Sequence, residues 1–415
     1  MIVSYAKSDL IEVEAFTRQQ DGEEVVIGRP DANVFLALPV EALEILDSLS
    51  RGRTVGEAQA EFAKAYGIEP DVDDLLQCLE QRGFVRPRGQ SAAARPLAQG
   101  AAGRAGDGIR YHFTQIPEPL AKRFFGPCPL ALYLTIIAAA LAIAVAQPSL
   151  IPGRDSLVFS QHRTAKLVVL SLVAYGTIFL HEFAHLLAAR AQGVKSRIGI
   201  SNRLWFLVAE TDMTGLWAVP SRQRYLPMLA GPLLDSVSAA LLFLLLFAQS
   251  QGAFTFVPAA DQLVRAMIFV YLFRLLWQCF LFVRTDFYYV ITTYFGCKNL
   301  MRDTQVFVQN LFRRAAGSQK LIDQSHIPLR ERRVIRMYSV LWVFGRGLAL
   351  FSLFYVTLPV LFRYLNIAYL ALVRGYRGNS YQFFDSMAVG ALNMMPVIIG
   401  LSLWIMSFVR RRRSV

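Results

Sequence analysis

Six apolar stretches restrict this chain more than any other feature: 129–147, 166–191, 225–248, 263–283, 338–362 and 385–409. Each is long enough to cross a hydrocarbon layer of roughly 30 Å as a helix, so each is predicted to be a membrane helix. With 54% of its 415 residues hydrophobic, the chain falls in the membrane class and a purely soluble fold is excluded. No charged and then apolar opening of the secretory type is present, which predicts an N-terminus left in the cytoplasm. The basic residues agree. Arg190, Lys195, Arg197, Arg203, Arg222 and Arg224 follow the second stretch, ten Lys and Arg between 284 and 336 follow the fourth, and Arg410–Arg413 form the tail, whereas 249–262 contains no Lys or Arg. The positive-inside rule then predicts a multi-pass protein of the cytoplasmic membrane with both termini in the cytoplasm.

The first 85 residues differ in kind. They hold 7 basic and 17 acidic side chains, net −10, while the whole chain is +13. Phosphate binding needs clustered Lys and Arg, so a nucleic-acid partner is excluded for this part. Alternation at 10–16, 24–27 and 33–38 predicts strands, and helical periodicity is predicted from Pro39 onward. Gly52 stops that first helix, Thr54 with Glu57 makes a capping box for a second that Gly67 closes, and Pro70 opens a third. Three strands, three helices and a closing Phe84-Val85 predict a winged-helix α+β domain over residues 1–86. Residues 87–110, rich in Ala, Gly, Arg and Pro, read as a flexible tether with an r.m.s. span on the order of 25–30 Å. Residues 111–415 then form the membrane domain. Cys78, Cys128, Cys279 and Cys297 make no CxxC pair, and reduced structural thiols are expected.

The chemistry lies in the second stretch, at His181-Glu182-Phe183-Ala184-His185. Histidines at i and i+4 share a helical face and can bind one Zn²⁺ through two imidazoles, with the glutamate between them as general base toward the attacking water. Ionisable groups inside a bilayer are costly, which favours a functional reading over chance. A catalytic zinc needs a third protein ligand, and two carboxylates qualify: Asp235, in Ala230-Gly231-Pro232-Leu233-Leu234-Asp235, and Asp286, in Arg284-Thr285-Asp286-Phe287-Tyr288-Tyr289. Helix direction puts Asp286 near the depth of the histidines, and the depth of Asp235 also allows it.

A membrane-embedded HExxH, an Ala-Gly-Pro segment on a following helix and a late aspartate resemble the site-2 protease family of intramembrane zinc metalloproteases. In that family the third ligand comes from an Asn-Pro…Leu-Asp-Gly segment, and some bacterial members continue Gly-Tyr-Tyr. The resemblance covers 166–295 and implies that Asp286 is the third ligand, with Asp235 where the family usually has Asn. Two departures stand out: the Asn-Pro element is missing, and Phe287 replaces the glycine. Residues 10–86 resemble PqqD-like peptide-recognition domains through Val26-Ile27-Gly28, Leu36-Ala37-Leu38-Pro39 and Gly83-Phe84-Val85. That resemblance implies a leader-peptide partner bound by strand addition.

The sequence therefore predicts a polytopic α-helical membrane protein with an N-terminal winged-helix domain, acting as a zinc-dependent metalloendopeptidase on a precursor peptide. His181, His185 and Asp286 are the expected metal ligands, Glu182 the expected base, and Asp235 the alternative ligand or a substrate contact. A non-proteolytic peptide receptor or export accessory with a structural metal is the alternative. Tyr288, Tyr289 and Tyr294 read as interfacial tyrosines, and His112, His162 and His326 as loop histidines. The alternating stretch 204–217, with Glu210 and Asp212, predicts a hairpin dipping toward the site. Arg265 and Arg274 are expected to face protein or water. Oligomeric state has no mark in the sequence.

Overall fold

The computed structural model describes residues 5–21, 24–29, 34–88, 110–203, 206–297, 299–317, 320–325, 327–376 and 379–413. Two compact units divide it, Met1–Gly126 with Glu182–Ala230 and Pro127–His181 with Gly231–Val415. The division falls inside two long helices, α6 (Arg163–Ala191) and α7 (Ser221–Ser250).

The first unit opens with β1 (Ile11–Val13), β2 (Thr17–Asp21), β3 (Glu24–Arg29) and β4 (Val34–Pro39). Helices α1 (Ala42–Ser50), α2 (Val55–Tyr66) and α3 (Val72–Gln81) follow, then β5 (Val85–Pro87). Strands β2, β3 and β4 form an antiparallel meander, and β1 pairs with β5. Val25, Ile27, Val34 and Leu38 point into one core with Leu46, Leu49, Leu76, Leu79 and Phe84 from the helices and the segment before β5. The capping box forms as expected: Thr54 N–H donates to Glu57 Oε2 at 2.9 Å and Glu57 N–H to Thr54 Oγ1 at 3.3 Å, while Gly67 closes α2 at φ +70°. Several details differ from expectation: the first strand is confined to Ile11–Val13 of the predicted 10–16, and α3 begins at Val72 behind its N-cap Asp71, whose carboxylate accepts from Asp74 N–H, and not at Pro70. Strand β2 carries polar Thr-Arg-Gln-Gln-Asp and gives no apolar alternation to read. Pro39 ends β4 instead of opening α1, because the residue before a proline is held extended and carries the strand through it.

The same unit holds a second antiparallel sheet, in which β6 (Arg110–His112), β7 (Arg197–Arg203) and β8 (Phe206–Asp212) lie side by side. A hairpin forms, but shifted from the predicted 204–217: its strands are β7 and β8, 204 and 205 lie outside the described residues, and the chain beyond Asp212 leaves the strand. A 3-10 turn, Thr214–Ala218, follows β8 and packs on β2, β3 and β4. β3 is consequently buried on both faces from Val25 to Gly28. Helix α4 (Glu118–Phe125) completes this unit. Apart from its ends, the predicted tether lies outside the described residues.

The second unit is helical, with α5 (Pro127–Ala146), parts of α6 and α7, α8 (Pro258–Gln278), α9 (Asp286–Phe295), α10 (Leu300–Ala315), α11 (Leu329–Ser352), α12 (Leu358–Arg374) and α13 (Ser380–Arg413). Among the described residues four segments are long and apolar enough to cross a membrane: Glu118–Ala146, Arg163–Ala191, Ser221–Ser250 and Leu329–Arg374. Four of the six predicted stretches fall in them. The stretch 263–283 falls on α8, which ends at Gln278 and carries Asp261, Arg265 and Arg274, charges that lower its hydropathy. The stretch 385–409 falls on α13, part of whose side chains lie outside the described residues.

The last two helices grip the segment that leads into α6. Pro359 has no N–H for the carbonyl four residues earlier, the chain opens into a π turn at Leu353–Thr357, and Arg154 Nη1 takes the carbonyl of Tyr355 at 2.5 Å. Tyr364, fully buried, donates to Leu157 O at 2.7 Å and accepts from Phe159 N–H at 3.2 Å. Asp385 of α13 accepts from Arg163 N–H at 3.0 Å and Thr164 N–H at 2.9 Å, capping α6 from another helix. Asp385→Ala is expected to cost about 1–2 kcal/mol, the upper range for a lost N-cap. The thermal midpoint in detergent measures it, and Asp385→Asn, which can still accept one of these bonds, should recover part of the loss.

Candidate metal centre

Within the helical unit His181 is clasped between two carboxylates. Its Nδ1 lies 2.8 Å from Asp235 Oδ2 and its Nε2 lies 3.3 Å from Asp286 Oδ2. Asp235 is 2% exposed. Its other oxygen pairs with Arg274 Nη2 at 3.0 Å, and Arg274 Nη1 donates to Thr177 Oγ1 at 2.9 Å, one helical turn before His181. A closed polar network thus ties α6, α7 and α8 together around one imidazole. Such a network survives among apolar helices because its charges pair with one another.

Asp286 is held by the turn between α8 and α9. Gln278 grips it at both ends: Nε2 donates to Asp286 Oδ2 at 2.9 Å, and Oε1 accepts from Asp286 N–H at 3.1 Å. Thr285, the N-cap of α9, donates its hydroxyl to Gln278 O at 2.9 Å. Gly345 of α11 lets this turn lie close, since a Cβ there would stand 3.0 Å from Leu281 N and 3.1 Å from Cys279 O. Phe287, in place of the expected glycine, packs on the apolar core around Tyr288, Leu300, Tyr338 and Trp342.

Within the first unit, on the last turns of α6, His185 Nδ1 lies 2.7 Å from the carbonyl of Pro227. A carbonyl only accepts, so Nδ1 carries the proton and Nε2 the lone pair. The ligand atoms of His181 and His185, one turn apart on α6, lie within 4.8 Å of each other. Glu182, between them, is bound by Thr211 of β8: Thr211 N–H donates to Oε2 at 3.0 Å, and Thr211 Oγ1 lies 2.8 Å from the same oxygen.

These donors suit a zinc ion in kind and in spacing. Both imidazoles have Nδ1 engaged by a protein acceptor, which orients Nε2 as the ligand atom, the arrangement usual for metal-binding histidines. Two ligand atoms on a tetrahedral zinc, at bonds of roughly 2.0–2.2 Å, stand about 3.3–3.6 Å apart, and His181 Nε2 and Asp286 Oδ2 are 3.3 Å apart. Asp235 meets the opposite nitrogen of the same ring, where it orients the ring.

The remaining sequence expectations resolve case by case. Tyr288 is buried and accepts from Met301 N–H at 3.4 Å, so it belongs to the helical core, not to an interface; Tyr294 is exposed. Asp212 pairs with Arg197 at 2.9 Å, and Arg265 with Asp261 at 2.9 Å. His112 is exposed on β6, His162 Nδ1 meets Tyr381 OH at 2.6 Å, and His326 lies outside the described residues. Thr211, Gln278 and the Pro227 carbonyl were not singled out by sequence reasoning. Of these only Gln278 left a signal, a polar residue inside an apolar stretch. Comparison with protein-family models, curated proteins and solved structures returns no match.

Proposed function

We propose that this protein is a zinc-dependent endopeptidase of the site-2 protease type, embedded in the cytoplasmic membrane by six helices. In this reading a precursor peptide is recruited by a PqqD-like winged-helix domain, residues 1–86, and cut at the site on α6. The observation that carries the reading is His181: a buried imidazole whose Nδ1 is fixed by Asp235 while its Nε2 faces Asp286. His181, His185 and Asp286 are the proposed ligands, and Asp235 is a positioning residue. When bound, zinc polarises the scissile carbonyl and lowers the pKa of water toward about 7. Glu182 accepts the proton of the attacking water and delivers it to the leaving amine. Thr211 holds Glu182 Oε2, and among the described residues no donor is placed on Oε1, the oxygen left for that proton.

The test is hydrolysis of a candidate precursor by the purified protein before zinc removal, after chelation and after zinc is restored. Loss and recovery of cleavage supports the reading. Zinc binding and peptide binding with no cleavage replaces it with a membrane peptide receptor that uses the metal structurally.

Topology is tested separately. With both termini cytoplasmic, a cysteine placed in 249–262 should react with an impermeant reagent added outside intact cells, and one near Lys320 should not. The reverse pattern overturns the orientation.

A further inference from the structure

The carboxylate of Glu182 is held by a strand, and that strand leads to the N-terminal sheet. Thr211 is paired with Ile198 of β7, yet its N–H points off the outer edge of β8 to Glu182 Oε2. Its hydroxyl lies 2.8 Å from both Oε2 and the Glu182 carbonyl oxygen. The next residue, Asp212, is fixed across the hairpin by Arg197 and accepts from Thr214 N–H at 3.1 Å and Thr214 Oγ1 at 2.6 Å. Those bonds bend the chain into the turn Thr214–Ala218.

That turn is wedged on both sides. On one side Leu216 packs with Ala189 and Val194, and a Cβ at Gly215 would collide with Val194 Cγ1 at 2.9 Å. On the other side lie β2, β3 and β4, with Phe35 Cζ 3.8 Å from the same Cβ position. Phe35 is paired with Gly28 in the β3–β4 register, and its ring lies over that glycine, where a Cβ would come within 2.5 Å of it. Gly28 is thus the vacancy that lets Phe35 lean on the turn. Gly28 and Phe35 therefore neighbour the turn Thr214–Ala218, which Thr214 ties to Asp212, the residue after Thr211, all within one compact unit with Glu182.

We propose that Thr211 is the positioning residue of Glu182 and that the N-terminal sheet, through Phe35 at Gly215, keeps it in place. The peptide-recognition domain then acts on the chemical step as well as on recruitment. The proposal rests on the reading of Glu182 as general base. A hydrogen bond to a charged group is involved, so loss of the Thr211 hydroxyl is expected to lower kcat about tenfold.

Two readouts on the full-length protein in lipid discs test it. The first is amide hydrogen exchange at Thr211, with Glu182→Ala as the control that removes its acceptor. Phe35→Ala is expected to speed exchange at Thr211 by about tenfold or more, and Phe35→Leu to restore slow exchange. Gly215→Ala, which disturbs the turn from the Val194 side, should act as Phe35→Ala does and serves where that variant folds poorly. The second readout is zinc-dependent hydrolysis of fluorescein-labelled casein: Thr211→Val and Phe35→Ala should lower kcat with KM unchanged, and Thr211→Ser should recover it. Unchanged exchange at Thr211 in Phe35→Ala overturns the link to the N-terminal sheet whatever Gly215→Ala does, and unchanged exchange in Gly215→Ala overturns the turn as the route to Thr211. Full kcat in Thr211→Val overturns the positioning role of its hydroxyl. A wild-type protein that with zinc hydrolyses neither casein nor the candidate precursor refutes the peptidase reading and with it the effect on the chemical step, while exchange still decides whether the N-terminal sheet holds Thr211 against Glu182.

Discussion

Glu182→Gln is expected to remove zinc-dependent hydrolysis by about 10²–10⁴-fold, the usual range for loss of a general base, and to leave zinc content unchanged. Glutamine matches glutamate in shape, and its amide oxygen can still accept from Thr211 N–H and Oγ1, so the β8 contact has no reason to break. What the amide cannot do is accept the proton of the attacking water. The imidazoles keep their anchors, Asp235 for His181 and the Pro227 carbonyl for His185, because neither involves Glu182. The measurements are turnover of the precursor and metal content by elemental analysis on the same preparations. Turnover within a few-fold of wild type would remove Glu182 from the mechanism. Loss of zinc would make it a ligand.

Recognition of the site from sequence depended on how costly its residues are where they stand. His181, Glu182 and His185 were legible because three ionisable groups in an apolar helix, at i and i+4 spacing, need a reason. Which of Asp235 and Asp286 meets which nitrogen of His181 was not, because depth along a helix places both near the histidines. The difference lies in which ring nitrogen each carboxylate meets, and side-chain direction across three helices is a tertiary fact. Local signals in the N-terminal domain behaved similarly. The Thr54–Glu57 box and the Gly67 stop are satisfied by residues within a few positions of each other and were legible. β2, polar throughout and paired among the described residues with β3 alone, was not. Phe35 and Gly215 are 180 residues apart in the chain, and nothing in either neighbourhood announces the other.

Replacing the proposed ligands one at a time is expected to divide them sharply from their support. His181→Ala, His185→Ala and Asp286→Ala should each lose zinc, because an open tetrahedral site has three protein ligands and two do not retain the ion through purification. Asp235→Ala should still bind zinc at saturation, with affinity lowered about 10–100-fold, as outer-shell partners of metal ligands usually behave. Two effects add in that variant. His181 loses the carboxylate that orients Nε2, and Arg274, partly buried between helices, loses its counter-ion at 3.0 Å and keeps the Thr177 hydroxyl at 2.9 Å and the Tyr271 ring, neither of which carries a charge. A buried charge left unpaired is costly, so a variant that also removes the charge, Asp235→Ala with Arg274→Met, is expected to regain stability without regaining affinity. That separation identifies Asp235 as a residue acting through His181 and not only as a structural ion pair. Competition titration against a zinc chelator gives the affinities, and thermal unfolding gives the stabilities. Zinc retained by Asp286→Ala and lost by Asp235→Ala would exchange the two roles and make Asp235 the third ligand. Affinity restored together with stability in the double variant would reduce Asp235 to a packing role, since relief of the stranded arginine would then account for the whole effect.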